Sequence, residues 1–216
     1  MSRLFIFALL LVPAALDAQS RPSADALARS LQQRYQGIRD FSAEFVHTYR
    51  GGVLRTQTKE QGTVLVKKPG QMRWIYTAPE RKEFVSDGRR IYSYFAADNE
   101  VRVNEVPPDN QASTPDLFLA GKGDIARDFT PTYVDAMVPG TLALKLTPRK
   151  AERDYDYLIV AVDPQSLQIR ALTTHDSQGG DSTLTFSNLK ENRGIPDKEF
   201  AFRIPRGAVV NDATRN

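Results

Sequence analysis

Phe41-Ser42-Ala43-Glu44-Phe45-Val46-His47-Thr48-Tyr49 repeats with a period of two: Phe41, Ala43, Phe45, His47 and Tyr49 alternate with Ser42, Glu44, Val46 and Thr48. Neighbouring side chains of an extended backbone point to opposite faces, so this stretch predicts a strand with one apolar face. Gly51-Gly52 follows it as a hairpin signal. The signature then recurs. Gln61 to Lys67 reads as a strand ended by Pro69-Gly70, and Met72, Trp74 and Tyr76 alternate with Arg73 and Ile75 as far as Ala78-Pro79. Lys82 to Ser86 and Arg89 to Phe95 flank Asp87-Gly88, the strongest short-range hairpin signal in the chain. Asp98-Asn99 turns into Val101, Val103 and Val106. Later come Thr132 to Val134, Leu142 to Thr147, Tyr155 to Val162, Leu167 to Thr174 and Ser182 to Leu189, separated by Pro139-Gly140, Asp163-Pro164 and Gly179-Gly180. A last Phe200-Ala201-Phe202 segment precedes Pro205-Arg206-Gly207.

Short turns between strands imply antiparallel pairing, and a sheet of about eleven strands must curl or close on itself. Two helices interrupt the pattern. Ser23 is placed to cap one that runs to about Tyr35, with Ala24, Leu27, Ala28, Leu31, Tyr35 and then Ile38 on a single apolar face. Thr114-Pro115 opens a second, Asp116 to Ala120, which Gly121 stops. The expected fold class is therefore mainly β, a curled antiparallel sheet covered by short helices. The apolar faces of the strands must meet one another, meet the helices or enclose something. Periodicity does not separate a solid core from a cavity.

The chain of 216 residues has 41% apolar and 25% charged residues and a net charge of +3, an ordinary globular mixture. Three net charges without a basic run longer than two residues make a weak field, so no nucleic-acid partner is expected. Residues 1–18 read as a signal peptide, with Arg3 before the apolar run Leu4 to Val12 and small residues after Pro13. Cleavage is expected after Ala18, with Ser20 as the alternative. Residues 19–216 then form a single domain, exported and without an anchor.

An enzyme needs convergent reactive groups, and few are visible. There is no Cys, and His47 and His175 are the only histidines. No G-x-S-x-G, phosphate loop or H-E-x-x-H occurs. His175-Asp176-Ser177 lie beside Gln178-Gly179-Gly180 and read as a solvated turn. Glu44 and His47 are three apart, which puts them on opposite faces of a strand. No catalytic residues, metal or cofactor are expected; a sheet lined with Phe, Tyr, Trp, Leu and Val is suited to binding apolar ligands.

The stretch Gly62-Thr-Val-Leu-Val-Lys-Lys-Pro-Gly-Gln-Met-Arg-Trp-Ile-Tyr-Thr-Ala-Pro79 resembles the periplasmic outer-membrane lipoprotein carrier (LolA-like) family. So do Val85-Ser-Asp-Gly-Arg-Arg-Ile-Tyr-Ser-Tyr94, Thr114-Pro-Asp-Leu-Phe-Leu-Ala120, Leu144-Lys-Leu-Thr-Pro148 and Phe202-Arg-Ile-Pro-Arg-Gly207, in that order. The resemblance implies an incompletely closed antiparallel barrel with a helical lid over an apolar cavity. It implies a monomeric periplasmic carrier whose cargo is acylated lipoproteins, taken from an ABC-type releasing complex in the inner membrane to an outer-membrane acceptor. Lys68 stands where the family commonly has an Arg that fastens the lid, with carbonyls near Tyr35, Leu119 and Ala120 as partners. Lys lacks the planar five-donor fork, so its latch should differ. Phe45, Leu65, Trp74, Tyr92, Leu117 and Leu119 are expected cavity-wall residues, and Met72 an expected contact for the membrane complex. The alternatives to a carrier are a lipoprotein or lipid sensor of an envelope-stress circuit and an exported hydrolase.

Overall fold

A computed structural model describes residues 21–51, 56–106, 119 and 123–215. The expected signal peptide and the helix expected over Asp116 to Ala120 therefore lie outside the described residues, except for Leu119. Helix α1 (Ala24–Gln36) begins where Ser23 predicts, the serine hydroxyl accepting the Ala26 N–H at 3.2 Å. Its buried residues are Leu27, Ala28, Leu31 and Tyr35, the face anticipated from their three- and four-residue spacing. Six strands follow: β1 (Asp40–Arg50), β2 (Gln57–Lys67), β3 (Gln71–Ala78), β4 (Lys82–Asp87), β5 (Arg90–Phe95) and β6 (Glu100–Glu105). After one turn of helix, α2 (Ile125–Asp128), come β7 (Phe129–Val134), β8 (Leu142–Pro148), β9 (Tyr157–Val162), β10 (Ile169–His175), β11 (Asp181–Glu191) and β12 (Val209–Asp212).

All twelve form one sheet in the order β12-β6-β5-β4-β3-β2-β1-β11-β10-β9-β8-β7, which does not close on itself. Every pairing is antiparallel except β12 with β6, a parallel edge strand that the sequence pattern does not announce. Asp87 sets one hairpin by accepting the N–H groups of Arg89 and Arg90, each at 2.8 Å, beside Gly88 at φ +94°. Register slips occur between Ser42 and Glu44, Gln61 and Gly62, and Ile169 and Ala171. Such irregularities bend strands and add twist, which is how a sheet this wide curls.

Direct cross-strand partners share a face, so the registers sort the side chains. On the inner face, where α1 sits, Phe41, Ala43 and Phe45 lie opposite Val66, Val64 and Gly62, which lie opposite Met72, Trp74 and Tyr76. The row continues to Phe84 on β4 and, in the other direction, to Phe186 on β11 and Leu184, Leu172, Val160 and Leu144. With the buried side of α1 these residues make one apolar core.

The outer face of β3 to β6 is covered separately. A 3-10 turn, Asp197–Phe200, buries Phe200, and Phe202 stacks on Tyr92 at 5.2 Å between centroids. Arg73 fastens this segment, donating to the Glu199 carbonyl at 2.7 Å and pairing with the buried Glu83 carboxylate at 2.5 Å.

Gly62 is required by close approach. A Cβ there would lie 2.0 Å from the Ile75 carbonyl oxygen and 2.8 Å from the Phe45 ring. Gly62→Ala is expected to cost about 3 kcal/mol by overpacking. Urea denaturation should show a lower midpoint with unchanged slope; an unshifted midpoint would refute this account of the bend.

Candidate functional site

The inner face carries a run of rings meeting edge to face. Phe45 touches Trp74 at 5.0 Å and Tyr76 at 4.9 Å between centroids, Tyr76 meets Phe84 at 5.7 Å, and Phe84 meets Phe95 at 5.9 Å. Phe186 joins from β11, 6.5 Å from Trp74. Edge-to-face pairs contribute about 0.5–1.5 kcal/mol each beyond the area they bury. Phe45 and Trp74 are expected wall residues. Tyr76, Phe84, Phe95 and Phe186 are not among the residues singled out from the sequence, although the Ala78-Pro79 turn carries the signal for one of them: counting across that turn pairs Phe84 with Trp74.

The same count overturns two expectations. Tyr92 pairs with Val85, and Leu65 with Arg73, so both lie on the outer face, away from α1. Tyr92 is occupied by Phe202. Met72 is corrected as well. It pairs with Val66 on the inner face and is only 7% exposed, so it packs in the core and presents no surface to a membrane complex. Leu117 and Ala120 lie outside the described residues, while Leu119 is buried in the inner core.

Lys68, Tyr35 and Leu119 come together. The Lys68 ammonium donates to the Tyr35 carbonyl at the last turn of α1 and lies 3.5 Å above the Tyr35 ring centroid. The Tyr35 hydroxyl in turn donates to the Leu119 carbonyl. Burial raises the Tyr35 pKa strongly, so the phenol stays protonated and remains a donor. The resemblance places the Leu119 carbonyl within reach of Lys68 itself; here it is taken by the tyrosine hydroxyl.

A further tie has no sequence signal. Arg34, also in the last turn of α1, pairs with Glu191 of β11 at 2.8 Å and donates to the Ser166 carbonyl. Gln32 accepts the Ile125 N–H at 2.9 Å, which joins α1 to α2.

Between α1 and the sheet lies an apolar crevice lined by Leu31, Tyr35, Ile38, Phe41, Leu167 and Phe186 among others. Its volume is about 20 Å³, room for roughly one water and far short of a hydrocarbon tail. With α1 in place, the aromatic rings and the helix leave little room in this crevice.

At the far end of the inner face, His47 bonds Ser182 at 2.8 Å and faces Glu60, which pairs with Lys82 at 2.5 Å. Burial is the largest influence on His47 and lowers its pKa. Glu44 falls on the opposite face, as the odd spacing requires, and is bonded by Asn188. His175, Asp176 and Ser177 do not converge: His175 pairs with Asp181 and stacks on Tyr157, and Asp176 accepts N–H groups of its own turn. No group of three or more metal-ligating side chains occurs among the described residues. Nor is any helix among them long and apolar enough to cross a membrane.

An open, curled antiparallel sheet whose apolar inner face is covered by a fastened helix defines a half-barrel. A family model described as "Outer membrane lipoprotein carrier protein LolA" matches residues 36–203. The outer-membrane lipoprotein carrier protein of Cupriavidus pinatubonensis is 27% identical over 204 residues, covering 91% of this chain and 92% of its own. The protein of the same name from Methylobacillus flagellatus is 31% identical over 152 residues, covering 69% and 71%. An uncharacterized conserved protein from Thermus thermophilus has a solved structure that superposes with a TM-score of 0.54 at 13% identity, over 86% of this chain and 98% of that one, which shows the shared fold. The chain belongs to the LolA family of outer-membrane lipoprotein carrier proteins.

Burial pushes the Lys68 pKa down to about 8, below the ordinary lysine value of about 10.4. Between those two values the folded protein binds fewer protons than the unfolded chain, so this group adds stability as pH rises through the window and loses it as pH falls through about 8. Melting temperature measured from pH 7 to pH 10.5 for wild type and Lys68→Met should show the wild type gaining on the variant as pH rises. A constant difference would remove the burial of Lys68 as its cause.

Proposed function

We propose that this chain is a non-enzymatic periplasmic carrier that holds lipoprotein acyl chains against the inner face of its sheet. On this reading it receives acylated lipoproteins from an ABC-type releasing complex of the inner membrane and gives them up at the outer membrane. Membership of the carrier family supports the reading, as do curated relatives named outer-membrane lipoprotein carrier protein. The observation that carries it is the manner in which α1 is held. The helix covers an aromatic face with its own apolar side, but is tied at its last turn by a few polar bonds from Lys68, Tyr35 and Arg34. Those bonds can be exchanged for water when the helix lifts, and the rings beneath then become a binding surface.

The energetics explain why a carrier is needed. Burying a methylene is worth ~0.8 kcal/mol, so one long acyl chain loses on the order of 10 kcal/mol on entering water. An apolar sheet face makes the transfer from bilayer to protein nearly neutral, and the cost of lifting α1 keeps affinity moderate enough for release. Lys68 contributes to that cost. Removing it should favour the loaded form over the empty one.

The test is a two-stage transfer assay with the mature chain. Membrane vesicles holding the releasing complex and a triacylated lipoprotein should yield a soluble lipoprotein–protein complex when ATP is added, and acceptor membranes should then discharge it. Absence of ATP-dependent soluble complex would overturn the reading. In the same assay Lys68→Leu should load at least as well as wild type and discharge several-fold more slowly; wild-type discharge would remove Lys68 as the latch.

A further inference from the structure

Trp74 is the only tryptophan in the chain and is 4% exposed. Its indole Nε1 is buried and has no hydrogen-bond partner among the described residues. Around it the inner face is apolar, with Val64 and Phe84 directly opposite on the neighbouring strands and the rings of Phe45 and Phe186 against it. The other unpaired buried atoms, Arg73 Nε and Glu83 Oε1, belong to an ion pair with a 2.5 Å contact on the outer face, so their charges are matched. Trp74 has no such compensation. Buried indole N–H groups normally find an acceptor, and leaving one unmade costs stability.

Hydrocarbon tails contain no acceptor. The ester and amide carbonyls that join such tails to their polar head do. Phe186 lies between the two features, lining the crevice under α1 and meeting the Trp74 ring. We infer that the Trp74 indole N–H is the hydrogen-bond donor for an acyl carbonyl of the bound lipid, so that the inner face selects acyl over alkyl chains and fixes how deep each chain sits. The inference rests on the proposed carrier reading and names the chemical group by which that site recognises its ligand. In the empty protein the donor is left unmade; when the ligand enters it is made, so the bond adds to the difference between the empty and loaded forms.

The test compares 1-monopalmitoylglycerol with 1-O-hexadecylglycerol, which differ at the linkage by a carbonyl, competing for a fluorescent fatty-acid probe on the mature chain. Wild type should bind the ester about fivefold more tightly than the ether, the size expected of one net hydrogen bond. Trp74→Phe should bind the two equally; the readout is the ester-to-ether ratio and not either affinity, because the smaller ring also removes apolar wall. A second measurement needs no variant. With a single tryptophan, the indole 1H–15N spectrum shows one signal, which should move downfield with the ester and not with the ether. Equal binding of both lipids by wild type, a preference retained by Trp74→Phe, or an indole signal that responds alike to both would each overturn the inference while leaving the carrier reading intact. If neither lipid binds wild type, the carrier reading fails and this inference fails with it.

Discussion

Helix α1 lying on the inner face is the contact on which the rest of the structure depends. The strands present Phe41, Phe45, Trp74 and Phe186 on one side of a sheet that does not close, and among the described residues no second layer of strands buries them. Leu27, Ala28, Leu31 and Tyr35 provide that layer. A sheet face of this kind left open to water would be a large exposed apolar patch. The helix therefore completes the core, and its attachment decides whether the face is core or surface.

The attachment is built from groups that lose little by separating. Lys68 gives a bond to a backbone carbonyl and a contact with a ring, and Arg34 a partly exposed ion pair. Exposed and half-exposed ion pairs contribute little because water replaces them readily. The fastening is divided between two side chains: the ammonium holds the Tyr35 carbonyl, and the Tyr35 hydroxyl reaches on to Leu119. A guanidinium with five donors could hold several carbonyls at once. The burial that lowers the Lys68 pKa opposes the charge on which its ring contact relies, so these contacts are made against desolvation of the ammonium.

Much of this is legible in the residues, because the physics that shapes it is local. Alternation from Phe41 to Tyr49 marks β1 through its own pleat, while Asp87-Gly88 marks the β4–β5 hairpin and Ser23 the start of α1 through bonds made within a few residues. What fails depends on parity or on distant partners. Tyr92 and Leu65 are as apolar as any wall residue, but one step along a strand reverses the face, and only a count through the hairpins places them. The surface role expected of Met72 follows from the resemblance alone; its alternation with Trp74 and Tyr76 and its strand partner Val66 put it inside. Strand β12 and the segment that stacks Phe202 on Tyr92 are formed with residues about a hundred positions away, which no short window contains. Arg34 and Glu191 are remote in the same way.

The sheet ends in two blunt borders. Strand β7 carries Pro131, which has no N–H to offer a neighbour, and β12 is only four residues long. Unclosed sheets ordinarily risk joining edge to edge with further copies of themselves. Here neither border is a good template for a thirteenth strand, so the half-barrel can stay unsealed without becoming the seed of a fibre.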